Sequence, residues 1–115
     1  ADFYYAKAED RVAAFHVMSL TIDPPEDSEG DINLAAGTTS VLLEIVVTDP
    51  DSATPYIYAW EQQPFVDDSV SFGTPAANTT TFGPLTNGTT YYVKVSVTNG
   101  QQRQITKFVR VVVAP

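Results

Sequence analysis

The side chains of this 115-residue chain that could do chemistry are mostly carboxylates: 14 Asp and Glu stand against 6 Lys and Arg, with one His and no Cys. The single histidine, His16, lies in Phe15-His16-Val17-Met18. That run reads as a strand, where an imidazole is a rim residue or a satisfied buried group rather than a general base. No Gly-x-Ser-x-Gly elbow is present to offer it a serine, so a Ser-His-Asp triad lacks its positioned nucleophile. Adjacent acids such as Asp67-Asp68 point to opposite sides of an extended segment and do not set the separation that glycoside hydrolysis requires. No Gly-rich phosphate loop occurs. The absence of Cys excludes disulfides and thiolate zinc sites. The expectation is a protein that is not an enzyme, with no catalytic residue and no resident cofactor.

Calcium is the one metal with candidate ligands. Asp49 with Asp51 and Asp67 with Asp68 lie in turns, and Asp23 with Glu26 and Asp27 offers a further set. The ion takes about six to eight oxygens, no EF-hand pattern is present, and acids in a turn such as Asp49-Pro50-Asp51 also cap backbone amides. Solvated turn acids are therefore the expected role. Asn78-Thr79-Thr80 and Asn87-Gly88-Thr89 satisfy the N-glycosylation pattern, making Asn78 and Asn87 candidate acceptors in an extracellular protein. Tyr56, Tyr58, Tyr92 and Phe108 are candidates to stack on sugar rings if they are exposed on a sheet face, against the plainer reading of cross-strand packing.

Charge narrows the partners. The net charge is −8, opposite to what a nucleic-acid backbone attracts. Between Val12 and Val93 there are 11 acids and no Lys or Arg, whereas Lys94 to Pro115 holds four cations and no acid. A charge far from zero keeps a protein dispersed; an acidic body with a basic C-terminal strand also suits head-to-tail self-association. No apolar run approaches the roughly 18 residues of a membrane span. The chain opens on Ala1 rather than Met, as a processed or excised module would.

Short β-branched and aromatic runs separated by Gly and Pro at close intervals must position these residues, a rhythm that predicts an all-β sandwich. Val41–Thr48 (VLLEIVVT) sets Val41, Leu43, Ile45 and Val47 on one face. Pro55–Gln62 does the same for Tyr56, Tyr58 and Trp60, and short strands are expected at Ser69–Phe72 and Thr79–Phe82. Thr90–Thr98 (TYYVKVSVT) alternates cleanly. Asn99-Gly100 reads as a tight turn at positive φ leading into Ile105–Val113 as its antiparallel partner. Residues 1–14 read as an N-terminal extension, Phe15–Ile22 as the first strand of a domain spanning 15–115, and Asp23–Asp31, with five acids, two prolines and a glycine, as a solvated loop.

Three stretches carry a family resemblance. Val46–Gln62 (VVTDPDSATPYIYAWEQ) resembles the B–C region of polycystic-kidney-disease type domains. Leu85–Gly100 (LTNGTTYYVKVSVTNG) is similar to the E–F corner and F strand of fibronectin type III domains. Ala35–Val47 fits a B strand of the same group. The resemblance implies an all-β, immunoglobulin-like antiparallel sandwich of about seven strands. It implies a core role for Trp60 between the sheets, packed on aliphatics because no disulfide is available, and a tyrosine corner at Tyr91, whose hydroxyl would bond back to backbone upstream.

The functional expectation is a non-catalytic extracellular or cell-surface module, structural or adhesive, whose partners are proteins, copies of itself included. Strand donation by the N-terminal extension into a neighbour's sheet would build a fibre. A carbohydrate-binding accessory module of a secreted enzyme is the alternative.

Overall fold

A computed structural model describes residues 18–115. The expectations for His16, for the 1–14 extension and for the start of the first strand at Phe15 lie outside the described residues. Eight strands form within them: β1 (Ser19–Asp23), β2 (Asp31–Leu34), β3 (Val41–Thr48), β4 (Ile57–Gln62), β5 (Ser71–Phe72), β6 (Thr79–Gly83), β7 (Thr90–Thr98) and β8 (Gln104–Val113). They make two four-stranded sheets, one ordered β1-β3-β6-β5 and the other β2-β8-β7-β4.

Period-two alternation builds the inner faces. In β3, Val41, Leu43 and Ile45 are buried while Leu42 and Val46 face out. In β7 the buried apolar set is Tyr91, Val93, Val95 and Val97, and β8 adds Val109, Val111 and Val113. Each such side chain contributes about 1.5–3 kcal/mol by leaving water. Phe72 stacks on Phe82 across the β5–β6 pair, with ring centroids 4.6 Å apart. Trp60 of the opposite sheet meets Phe72 at 6.1 Å, and Tyr91 meets Phe82 edge-on at 5.5 Å. These contacts join the two sheets through an aromatic ladder. Trp60 therefore packs against an aromatic neighbour as well as aliphatics.

Three expectations about the elements change. First, β2 is an additional strand, and it runs parallel to β8, with Ile32 opposite Val111 and Leu34 opposite Val113. The solvated 24–30 loop carries the chain from the first sheet to the second, where β2 lies alongside β8. Second, the 69–72 strand is only Ser71–Phe72, and β4 begins at Ile57. Third, Asn99-Gly100 is not a two-residue turn. Residues 99–103 close the hairpin, the Asn99 amide donates to the Arg103 carbonyl at 2.9 Å, and the positive φ belongs to Gln102. Gly100 has another reason: a Cβ there would overlap the backbone carbonyl of Thr54. The β7–β8 hairpin otherwise has the expected antiparallel register, from Thr90 opposite Val112 to Thr98 opposite Gln104.

The ends of the described chain lie at opposite ends of the sandwich. Ser19 pairs beside Thr48, next to the 49–53 turn and the 99–103 loop. The Ala114 carbonyl accepts from Gly88 at the far end.

Candidate functional site

Most polar side chains singled out by sequence hold the structure's own loops. The Asp49 carboxylate accepts from the amides of Asp51 (3.1 Å) and Ala53 (3.0 Å), from the Tyr56 hydroxyl (3.2 Å) and from Asn99 Nδ2 (3.4 Å). Loss of hydration raises the affinity of Asp49 for a proton, but those four donors outweigh it and hold the carboxyl below its ordinary range. Desolvation, together with the same Asp49 charge, pushes the Tyr56 phenol up. Asn99 is buried, and its Oδ1 accepts from the Gln101 and Arg103 amides. The 49–53 turn and the 99–103 loop are thereby tied together, with the Gly100 amide donating to the Ala53 carbonyl at 2.6 Å. The tie was not legible as such, since Asn-Gly carries a turn signal that masks a buried amide.

Asp67 is engaged similarly. Its Oδ1 accepts from the Ser69 amide at 2.9 Å and the Ser69 hydroxyl at 2.5 Å, which lowers its carboxyl. Asp68 is exposed. In the loop before β2, Asp27 accepts from the amides of Asp31 and Glu29 and from Asn33 Nδ2, and those bonds lower it as well. Among the described residues no group of three or more His, Cys, Asp or Glu is arranged to hold a metal ion. The calcium candidates Asp49, Asp51, Asp67 and Asp68 are thus not brought together into a shell.

The structural residues sit as follows. Trp60 is 4% exposed, and its Nε1 donates to the Ala77 carbonyl at 2.7 Å. Tyr91 is 2% exposed, and its hydroxyl accepts from the Thr86 amide at 2.9 Å. Asn78 is exposed just before β6, and its backbone carbonyl accepts from Ile45. Asn87 is exposed with its Oδ1 accepting from the Gly37 amide at 2.8 Å.

The sugar-stacking candidates divide. Tyr56 and Tyr58 pack against the core on the same face as Trp60, because side chains two apart share a face, so they are not an exposed platform. Tyr92 and Phe108 do lie on the outer face of the second sheet, from β7 and β8. There the structure adds an aromatic that sequence reasoning missed. Phe65, 65% exposed, stands edge-on to Tyr92 with centroids 5.0 Å apart. Its loop is built by Gln62, whose Oε1 accepts from the Asp67 amide at 2.8 Å and whose Nε2 donates to the Asp67 carbonyl at 3.0 Å. The signal available in sequence was an apolar pair, Phe65-Val66, in a segment with no strand pattern.

A hollow of about 240 Å³ opens on this face, lined by Glu29, Gln63, Pro64, Tyr92, Phe108 and Arg110. Backbone bonds anchor both of its walls: Gln63 donates to the Tyr92 carbonyl, and Arg110 donates to the Gly30 carbonyl. The Arg110 guanidinium is held by Asp31 (2.6 Å) and the Glu29 carbonyl (3.2 Å). Beside it Lys94 pairs with Glu61 at 3.1 Å, and at the sandwich edge Lys107 pairs with Glu26 at 2.6 Å. Phe108, at 59% exposed, has no covering element among the described residues. Aromatic residues and arginine are the types enriched at the centres of protein–protein interfaces.

Comparison with known proteins bears on the fold. A family model described as K319L-like, PKD domain matches residues 28–113. The solution structure of the PKD domain from human KIAA0319 is similar, with 23% identity and a TM-score of 0.60 over 84% of this chain and 81% of that one. The PKD domain from the KIAA 1837 protein aligns with 21% identity and a TM-score of 0.57 over 76% of this chain and 83% of that one. A nucleoside hydrolase-related hypothetical protein from Saccharophagus degradans, associated with carbohydrate metabolism, aligns with 16% identity and a TM-score of 0.63 over 86% of this chain and 25% of that one. No curated protein sequence matches the chain significantly.

Proposed function

Since the chain belongs to the K319L-like, PKD domain family, we propose that it is a non-catalytic extracellular or cell-surface module, structural or adhesive, that works through protein–protein contacts. The observation that carries this reading is the uncovered aromatic hollow lined by Tyr92 and Phe108, with Phe65 against Tyr92, on the outer face of the second sheet. The carboxylates that could have served chemistry instead accept loop amides, as at Asp49, Asp67 and Asp27. The described chain enters at one end of the sandwich and leaves at the other, so a pull between those ends runs along the strands, which suits a spacer. A photo-crosslinking residue at position 108, compared with one at position 42 on the opposite sheet, tests the contact surface on the producing cell. Protein adducts concentrated at 108 are expected; their absence there removes the reading.

A neighbouring copy is the partner in one form of this reading: residues 1–14 donate a strand to an open sheet edge and build a surface fibre. The outer strands β1 and β2 are short, and the family match leaves residues 1–27 outside it. Light scattering decides this form. Concentration-dependent growth that deletion of residues 1–11 abolishes is expected, and a strict monomer at high concentration rules it out. Carbohydrate binding is the second reading, favoured by Phe108 standing exposed beside Gln63 and Glu29. Phe65 set edge-on to Tyr92 counts against a flat sugar platform.

A further inference from the structure

We propose that the hollow on the outer face of the second sheet takes a basic peptide segment, an apolar or aromatic side chain flanked by Lys or Arg, supplied by a partner protein; this rests on the contact-module reading above. Two independent features set that chemistry. The first is shape and polarity. Tyr92, Phe108 and Pro64 line the hollow, and Phe65 is fixed against its rim by the edge-on contact with Tyr92. One large apolar side chain fits a space of about 240 Å³. Aromatic faces also attract a cation lying over them.

The second feature is charge. Three cations of this sheet already have a carboxylate partner within the chain: Arg110 has Asp31, Lys94 has Glu61 and Lys107 has Glu26. Glu29 lines the hollow and stands in no such pair with these three cations. Glu29 and Arg110 of the lining sum to zero, but Asp31, just outside it, already pairs with Arg110, so the three together leave one negative charge beside the hollow, in a chain whose net charge is −8. An acidic segment would meet repulsion from this field and find its possible anchors occupied. A basic one is drawn in from a distance and finds Glu29 beside the rings.

Selection of displayed random twelve-residue peptides against the intact chain tests this. The enriched peptides are expected to carry an aromatic or branched apolar residue within a few positions of Lys or Arg. Synthetic copies should bind at least ten-fold more weakly to Phe108→Ser and several-fold more weakly to Glu29→Lys, with affinity falling as salt is raised. Leu42→Ser, on the opposite sheet, should leave binding unchanged. Phe108 and Leu42 are both exposed, so unaltered thermal melting of each variant shows that the fold is intact. Enriched peptides that are acidic or uncharged but still need Phe108 would overturn the basic-peptide assignment while leaving the contact module; binding that survives Phe108→Ser but not Leu42→Ser would overturn both. Enrichment of no peptide, together with Phe108-dependent signal on a glycan array, would overturn both readings.

Discussion

Replacing Tyr91 by Phe isolates one atom. The ring is 2% exposed and packs edge-on to Phe82 at 5.5 Å, and Phe keeps that packing. What leaves is the hydroxyl that accepts from the Thr86 amide at 2.9 Å. An unsatisfied buried amide costs about 1–3 kcal/mol. Thr86 itself is exposed, so water reaches part of the vacated site, and the expected loss is about 1–2 kcal/mol. For a domain of this size that lowers Tm by roughly 4–16 °C. Urea unfolding should show a lower midpoint at unchanged m-value, and amide exchange at Thr86 should quicken ahead of its neighbours in β7. Tyr92→Phe, on the outer face, is the control and should stay within about 0.5 kcal/mol of wild type. A Tyr91→Phe variant as stable as that control, with Thr86 still protected, would refute the reasoning.

Gly100→Ala should cost about 1–3 kcal/mol, because the new Cβ meets backbone at Thr54 and forces the 99–103 loop off Ala53. Gly73→Ala, whose Cβ would meet the Thr81 carbonyl at an ordinary 3.6 Å, should be nearly silent in the same melts. Trp60 fluorescence should be blue-shifted and resistant to acrylamide until unfolding, given its 4% exposure; emission like that of free tryptophan would place the indole in water and undo the core. Acid should destabilise the fold. Hydrogen bonds to Asp27 and Asp67, and at Glu26 and Asp49 bonds that outweigh desolvation, hold these carboxyls below their ordinary values. A carboxyl lowered in the folded state contributes stability that is complete above its unfolded pKa and lost as pH falls through the folded one. The urea midpoint should therefore hold from pH 7 to about 5 and fall below about pH 4; a midpoint that rises on acidification would contradict the hydrogen-bond assignments.

Three acids of the loops share one logic. Asp49, Asp67 and Asp27 each follow a strand or open a turn and accept amides two to four residues on. They tie their loops together through backbone amides. Stiff loops are what allow Phe65, exposed and outside any strand, to stay against Tyr92 rather than collapse into the core.

Local alternation was enough to place β3 and β7 and to orient Trp60 and Tyr91 inward, because a strand's side chains follow a period of two whatever lies across from them. The Asp-Pro-Asp turn was also legible, since the acid and the amides it caps are sequence neighbours. Everything that depends on pairing distant segments was decided by the tertiary structure. Four residues around Ile32 became a strand only because the parallel edge of β8 was there to receive them. Gly100 is required by the Thr54 carbonyl, some forty-six residues away in sequence. The hollow exists only because the second sheet brings Phe108 near Tyr92 and the Gln62 side chain holds the Phe65 loop against Tyr92. Such contacts join positions whose separation along the chain carries no period, so no local pattern in the residues could announce them.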